Sequence, residues 1–201
     1  MNEPLAPVGA DVDDGVRLTP AACLALCDAL PRAPDLDAAM GIVEGVRQGL
    51  LGAGLLTINL LATPVAQQTD GSLVLLRAWS SDPVAYPPGG RKHKTMTDWS
   101  QHLLRDGRVF VGQGDADLAQ AFDDHALIAA LGWHSVVNVP MLDAGGNCFA
   151  TFNALGPRSR WRADEVLLLR LLATLATPAV ARMVQQHREI PALAASTVEL
   201  G

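Results

Sequence analysis

The stretch Tyr86-Pro-Pro-Gly-Gly-Arg-Lys-His-Lys94 contains Lys92 and Lys94, the only lysines in the chain, beside Arg91 and His93. In a protein of net charge −6 this is a concentrated positive field. The amides of Gly89 and Gly90 can form an anion nest. Arg91 can grip a carboxylate or phosphate with two N–H groups, and Lys92 supplies a point charge. The same composition also describes a solvated basic loop. Tyr86 and, further along, Trp99 are placed to close over whatever the loop holds.

A second set of polar residues lies in mid-strand. The segment from His134 to Leu155 reads as a hairpin, with strands over 134–142 and 148–155 and the turn Asp143-Ala-Gly-Gly146. Period-2 alternation puts Val137 and Val139 on one face with Ala150 and Phe152, and Asn138, Thr151 and Asn153 on the other. An earlier strand, Leu55–Thr63, repeats the pattern with Leu56, Ile58 and Leu60 against Thr57 and Asn59. Amides and hydroxyls on a covered face must find partners. Asn59, Asn138, Thr151 and Asn153 are therefore candidate ligand-binding residues, with a solvated sheet face as the plain alternative.

Three further groups can carry chemistry. In Phe122-Asp-Asp-His-Ala126, Asp123 beside His125 has the composition of an acid–base pair, and equally of a helix start. Cys148 is a candidate nucleophile or redox thiol. Simple alternation puts it on the face opposite Asn138, which only a bulge would reverse. Cys23 and Cys27, four apart on one helix face, suit a redox pair, half a metal site or a plain helix contact. His93, His125, His134 and Cys148 match no metal-ligand spacing, so no metal is expected. No Gly-x-Ser-x-Gly elbow, P-loop or dinucleotide fingerprint occurs.

The elements that must position these groups follow from punctuation and periodicity. Thr19 and Pro20 open a first helix that ends near Pro31. A second starts at Asp35 and ends at Gly52 and Gly54. Leu55–Thr63 and Ser72–Ser80 form a hairpin around a polar turn, 64–71. Ser81–Lys94 reads as a loop, Thr97–Arg105 as a helix with a Thr cap, and 108–112 as a short strand. Two short helices, 115–120 and 123–131, precede the second hairpin. A long helix from Ala163 to about Arg188 is apolar almost all round, with a kink expected near Thr174 because of Pro178. The order implies an α+β fold: an antiparallel sheet with long helices on one face and the 81–131 segment roofing a pocket on the other.

Length and composition bound the rest. The 201 residues, 49% hydrophobic, are enough for one ordinary domain over 19–189, with a loose leader over 1–18 and a frayed tail over 190–201. The acidic charge disfavours nucleic acid. No uninterrupted apolar run of about eighteen residues suggests a membrane span. Three cysteines and no basic, then apolar, leader fit a reducing cytoplasm.

This order, with Ser135-Val-Val-Asn-Val-Pro140, a Gly turn, and Ala150-Thr-Phe-Asn-Ala-Leu155 before a Leu-rich helix, resembles the GAF domain over about residues 35–185. The resemblance implies a GAF/PAS-like fold and a small-molecule sensor in signalling. Family members bind cyclic nucleotides, bilins, haem, amino acids or other metabolites between sheet and covering loops, and usually dimerise through terminal helices. It implies a homodimer through the terminal helices, while the basic loop and the strand amides point to a polar, anionic ligand, with no cofactor expected. Two departures stand beside it. A single GAF-like unit fills the chain, which raises the alternative of a stand-alone enzyme using Cys148 or His125 with Asp123. The free methionine-R-sulfoxide reductases are such enzymes, but their cysteine set is not matched. A haem or gas sensor is the third reading. Since fold alone does not fix function, the ligand must be argued from residues.

Overall fold

Thr19 and Asp35 start the first two helices with their side chains. Thr19 Oγ1 accepts from the Ala22 amide at 3.1 Å, and Asp35 Oδ1 from the Ala38 amide at 2.8 Å. Each thereby satisfies an amide that has no partner within the helix. The computed structural model describes residues 15–62 and 72–196. Helix α1 is Pro20–Ala29, followed by a 3₁₀ turn, Leu30–Arg32, and α2 is Leu36–Leu51. Gly52, with φ of 75°, ends α2 in a conformation that glycine adopts without penalty.

Six strands form one antiparallel sheet: β1 Leu55–Leu61, β2 Ser72–Ser80, β3 Arg91–Thr95, β4 Phe110–Gln113, β5 Ser135–Leu142 and β6 Cys148–Gly156. Their spatial order is β3-β2-β1-β6-β5-β4. Between β3 and β4 lie α3, Asp98–Ser100, and a π-helical turn, Gln101–Arg105. Between β4 and β5 lie α4, Gly114–Ala121, and α5, His125–Ala130. Helix α6, Ala163–Ser196, closes the order.

The apolar alternation decides which face is which. Leu56, Ile58, Val137, Val139, Ala150, Phe152 and Ala154 are buried against Met40 and Val43 of α2 and Leu168, Leu169, Leu172, Ala176 and Val180 of α6. The other face is covered by two smaller clusters. One joins Leu73, Leu75 and Trp99 to Leu103 and Leu104 of the π-helical turn. The other joins Tyr86 to Leu118, Ile128, Val136 and Leu155. The fold is thus the expected α+β arrangement, helices on one side and a roof on the other.

Several expectations are corrected. The loop over Ser81–Lys94 gives way to an edge strand at Arg91, because β2 offers an unpaired edge and Arg91–Thr95 pairs with Leu76–Ser72. The helix over 97–105 is one α-turn that widens into the π-helical turn. Helix α6 runs through Pro178 unbroken. Thr174 and Thr177 there donate their hydroxyls back to the carbonyls of Arg170 and Ala173. Val16 and Leu18 pack on the main core, the Val16 amide donates to Asp164 Oδ2 at 2.6 Å, and α6 continues to Ser196. The rest of the leader and of the tail, and the turn expected over 64–71, lie outside the described residues.

By length and composition the stretch Ala163–Gln185, mean hydropathy 1.6, is long and apolar enough to cross a membrane. One side of it is buried against α2, β5 and β6, while Leu167, Leu171 and Leu175 on another side stay exposed.

Candidate functional site

The strand register brings the mid-strand polar residues onto one face. Asn138 stands opposite Asn153, Asn153 opposite Thr57, and Thr151 opposite Asn59. There the amides bond to one another. Trp99 Nε1 donates to Asn138 Oδ1 at 3.0 Å, and Asn138 Nδ2 donates to Asn153 Oδ1 at 2.8 Å. Asn153 Nδ2 in turn reaches the Thr57 and Thr151 carbonyls at 3.3 and 3.2 Å. Asn138, Asn153, Thr57 and Thr151 are all buried. The amide oxygen and the amide nitrogen of Asn138 are each engaged within the protein, and the chain of bonds ties the roof indole to the sheet.

Beside this seam is an internal cavity of about 50 Å³, between the sheet and the roof. Its polar lining includes Asn59, Arg77, Tyr86, Lys92, Lys94 and Asp124. Its apolar wall includes Leu75, Phe122, Ile128, Val136 and Leu155. Arg77 comes from β2, where it shares the roof-facing parity of Leu73 and Leu75. Its guanidinium carbon sits 4.5 Å from the centroid of the Tyr86 ring, a cation–π contact. Its Nη1 donates to the Pro87 carbonyl at 3.2 Å.

Among the described residues four buried side-chain polar atoms have no hydrogen-bond partner. Two of them, Arg77 Nε and Tyr86 Oη, belong to residues that line this cavity. The other two, Ser135 Oγ and Trp161 Nε1, belong to side chains that pack around Gly156 at the far end of β6. An orphaned buried donor costs free energy that an acceptor in the cavity would recover.

The charges around the cavity are partly compensated. Lys92 Nζ lies 2.5 Å from Asp124 Oδ2, and Lys94 pairs with Asp123. Arg77, Lys92 and Lys94 thus face two carboxylates. Burial lowers the Lys92 pKa, with Asp124 opposing the shift. Burial likewise lowers that of Arg77. The Tyr86 hydroxyl is pushed up to about 12, first by burial and then by the Asp124 charge. It remains a donor across the physiological range.

The structure separates the residues singled out from sequence. Asn59, Tyr86, Lys92, Trp99, Asn138 and Asn153 line the cavity, whereas Thr151 and Arg91 do not. Thr151 is buried beneath the network, and Arg91 is exposed, one residue out of phase with Lys92 on the edge strand. Arg77 was missed, although its parity with two apolar neighbours in Leu73–Arg77 was readable.

The chemical candidates do not assemble. His125 Nδ1 lies 3.0 Å from the Phe122 carbonyl while Asp123 turns to Lys94, so no acid–base pair forms. The residue before α5 is Asp124, and its side chain makes no capping bond because it is held by Lys92. The register shift between Met141 and Leu142 is the bulge that alternation alone could not supply. It turns Cys148 to the roof side, into the cluster of Leu73, Leu75 and Trp99. There burial pushes the thiol up to about 12, and Sγ donates to the Ala150 carbonyl at 3.2 Å. Such a thiol is not poised as a nucleophile. Cys23 and Cys27 are both exposed on α1. No histidine or cysteine lines the cavity that would serve as a haem ligand.

A larger groove of about 580 Å³ lies outside the roof, between the π-helical turn, β4 and α4. None of the residues with orphaned donors lines it, so the cavity beside the amide network is the stronger site on physical grounds.

Comparison with known proteins agrees with this architecture. A profile of the GAF domain matches residues 37–180. The fold is similar to the GAF domain of a phosphoenolpyruvate-protein phosphotransferase from Coxiella burnetii, with a TM-score of 0.62 and 13% identity over 84% of this chain and 95% of that one. It is similar to the GAF domain of the Acinetobacter phosphoenolpyruvate-protein phosphotransferase, with a TM-score of 0.58 and 10% identity over 85% and 99%. It is also similar to the chromophore-binding domain of a bacteriophytochrome from R. palustris, with a TM-score of 0.56 and 14% identity over 83% and 62%. No curated protein matches the sequence. With a match over residues 37–180 and a sheet, helices and roof in the same arrangement, the chain belongs to the GAF domain family.

Proposed function

We propose that this GAF domain is a sensor or regulatory module that binds a small anionic metabolite in the cavity between sheet and roof. The observation that carries the reading is the pair of buried, unpartnered donors, Arg77 Nε and Tyr86 Oη, in a wall where cations outnumber carboxylates. Arg77 and Lys92 neutralise the ligand, Tyr86 and Asn59 hydrogen-bond to it, and Trp99 and Phe122 cover it. Asn138, Asn153 and Thr151 hold the floor and the roof in place. An anion on Lys92 competes with Asp124, and Asp124 precedes α5. Occupancy thereby biases the position of the roof relative to edge strand β3, which is the differential contact a sensor requires.

The dimer is part of the proposal. Leu167, Leu171 and Leu175 recur every fourth residue on α6 and are 56%, 44% and 37% exposed, an apolar stripe suited to a second copy of the chain.

The test is a metabolite panel read by thermal shift, with mass spectrometry of what co-purifies. A bound metabolite should be anionic, and its stabilisation should vanish in Arg77→Ala and in Lys92→Met. A ligand whose binding survives both substitutions would show that the site lies elsewhere.

A further inference from the structure

We infer that the cavity is built for a compact monocarboxylate with a short apolar body. This rests on the proposed anion site and narrows its ligand class by size, charge and donor geometry.

Size comes first. A water needs roughly 10–15 Å³ of cavity, so a cavity of about 50 Å³ holds about three to five waters. The ligand that fits without moving the roof is therefore about the size of acetate or propanoate, with pyruvate at the upper limit. Charge comes second. Arg77, Lys92 and Lys94 line the cavity against Asp124, and Asp123 takes Lys94 from outside, which leaves one positive charge unbalanced. A monoanion neutralises the site with both ion pairs intact. A dianion overshoots unless Asp124 leaves.

Donors come third. Arg77 Nε and Tyr86 Oη are the orphans, and the guanidinium stacks on the Tyr86 ring, so the two side chains are in contact. Two donors on touching side chains suit the few oxygens of one carboxylate, or of a carboxylate and a neighbouring carbonyl. A phosphate would bring further acceptors against Leu75, Ile128, Val136 and Leu155, where none can be satisfied. That same wall favours a carbon body over an inorganic monoanion.

The experiment is isothermal titration of the full chain at constant ionic strength with propanoate, pyruvate, propanamide, nitrate, malonate and inorganic phosphate. Propanoate or pyruvate should bind at least tenfold more tightly than the other four. Arg77→Gln should weaken that binding at least tenfold. Tyr86→Phe should weaken it severalfold without lowering the melting temperature, because it removes a hydroxyl that has no partner in the empty site. Asp124→Asn adds a second unbalanced charge and should move the preference from propanoate toward malonate. Tighter binding of malonate or phosphate in the unaltered protein would overturn the monocarboxylate class and leave the anion site standing. Nitrate matching propanoate would overturn the carbon body alone. Propanamide matching propanoate would overturn both this inference and the anion site. Failure of every monocarboxylate to bind would overturn the class, and Arg77-dependent binding of a larger anion would then show that the parent reading survives.

Discussion

Truncating Asn138 to alanine tests whether the mid-strand amides are structural. Asn138 is 2% exposed and bonds on both sides, accepting from Trp99 Nε1 and donating to Asn153 Oδ1. Removing its amide strands a buried indole N–H and a buried amide oxygen, each costing about 1–3 kcal/mol. The neighbouring cavity can admit a water to one of them, which reduces the sum. The expected loss is therefore about 2–4 kcal/mol, near the upper range for single substitutions. With a urea m-value of about 2 kcal/mol/M the midpoint falls by about 1–2 M. The assay is urea unfolding followed by far-UV circular dichroism, repeated for Trp99→Phe and for the double variant. Bonded partners should show a coupling of about 0.5–3 kcal/mol. A loss under about 0.5 kcal/mol, or strict additivity of the two substitutions, would refute the account of Asn138 as the tie between roof and sheet.

Other predictions concern separate parts of the molecule. Arg47 is fully buried and held by Glu44 through Nε and Nη2 at 2.6 and 2.7 Å, so Glu44→Ala should cost about 3 kcal/mol by leaving a buried charge unpaired; an unchanged urea midpoint would contradict this. Iodoacetamide at neutral pH should label Cys23 and Cys27 but spare buried Cys148, giving two adducts by mass spectrometry when folded and three in urea. The Cys148 thiol and Tyr86 hydroxyl both titrate at about 12 in the fold, against ordinary values of 9.0 and 10.0. The unfolded chain loses these protons first, so their contribution is fully present below about pH 9 and is lost as pH rises toward 12. A melting temperature flat across that window would refute the burial of both groups. Leu171→Glu places a charge in the exposed stripe of α6, and light scattering should report a shift from dimer to monomer without loss of helix content.

How much of this was readable beforehand depended on the residue. The faces of β1, β5 and β6 were readable because Thr57, Asn59, Asn138, Thr151 and Asn153 alternate with apolar residues in the middle of these strands. Strand β3 was not, since Arg91–Thr95 carries no apolar residue and forms only by completing the edge of β2. The pairing that makes it a strand also decides that Lys92 and Lys94 face the cavity while Arg91 and His93 do not. Cys148 could not be placed by parity, because one extra residue at the Met141–Leu142 bulge reverses its face.

The sequence by itself determined every element but β3 and the π-helical turn, the antiparallel hairpins, the helix caps and the apolar face that α2 and α6 cover. These follow from local rules: periodicity, turn residues and capping. Tertiary structure alone decided which polar groups are spent and which are free. Asn138 and Asn153 find each other across the sheet and Trp99 from the roof, so groups that read as ligand contacts are consumed in holding the fold together. Arg77, which the sequence did not single out, meets Tyr86 beside the cavity with donors left over. Whether a hydrogen-bonding group is satisfied depends on partners brought from distant parts of the chain, and no local pattern encodes that.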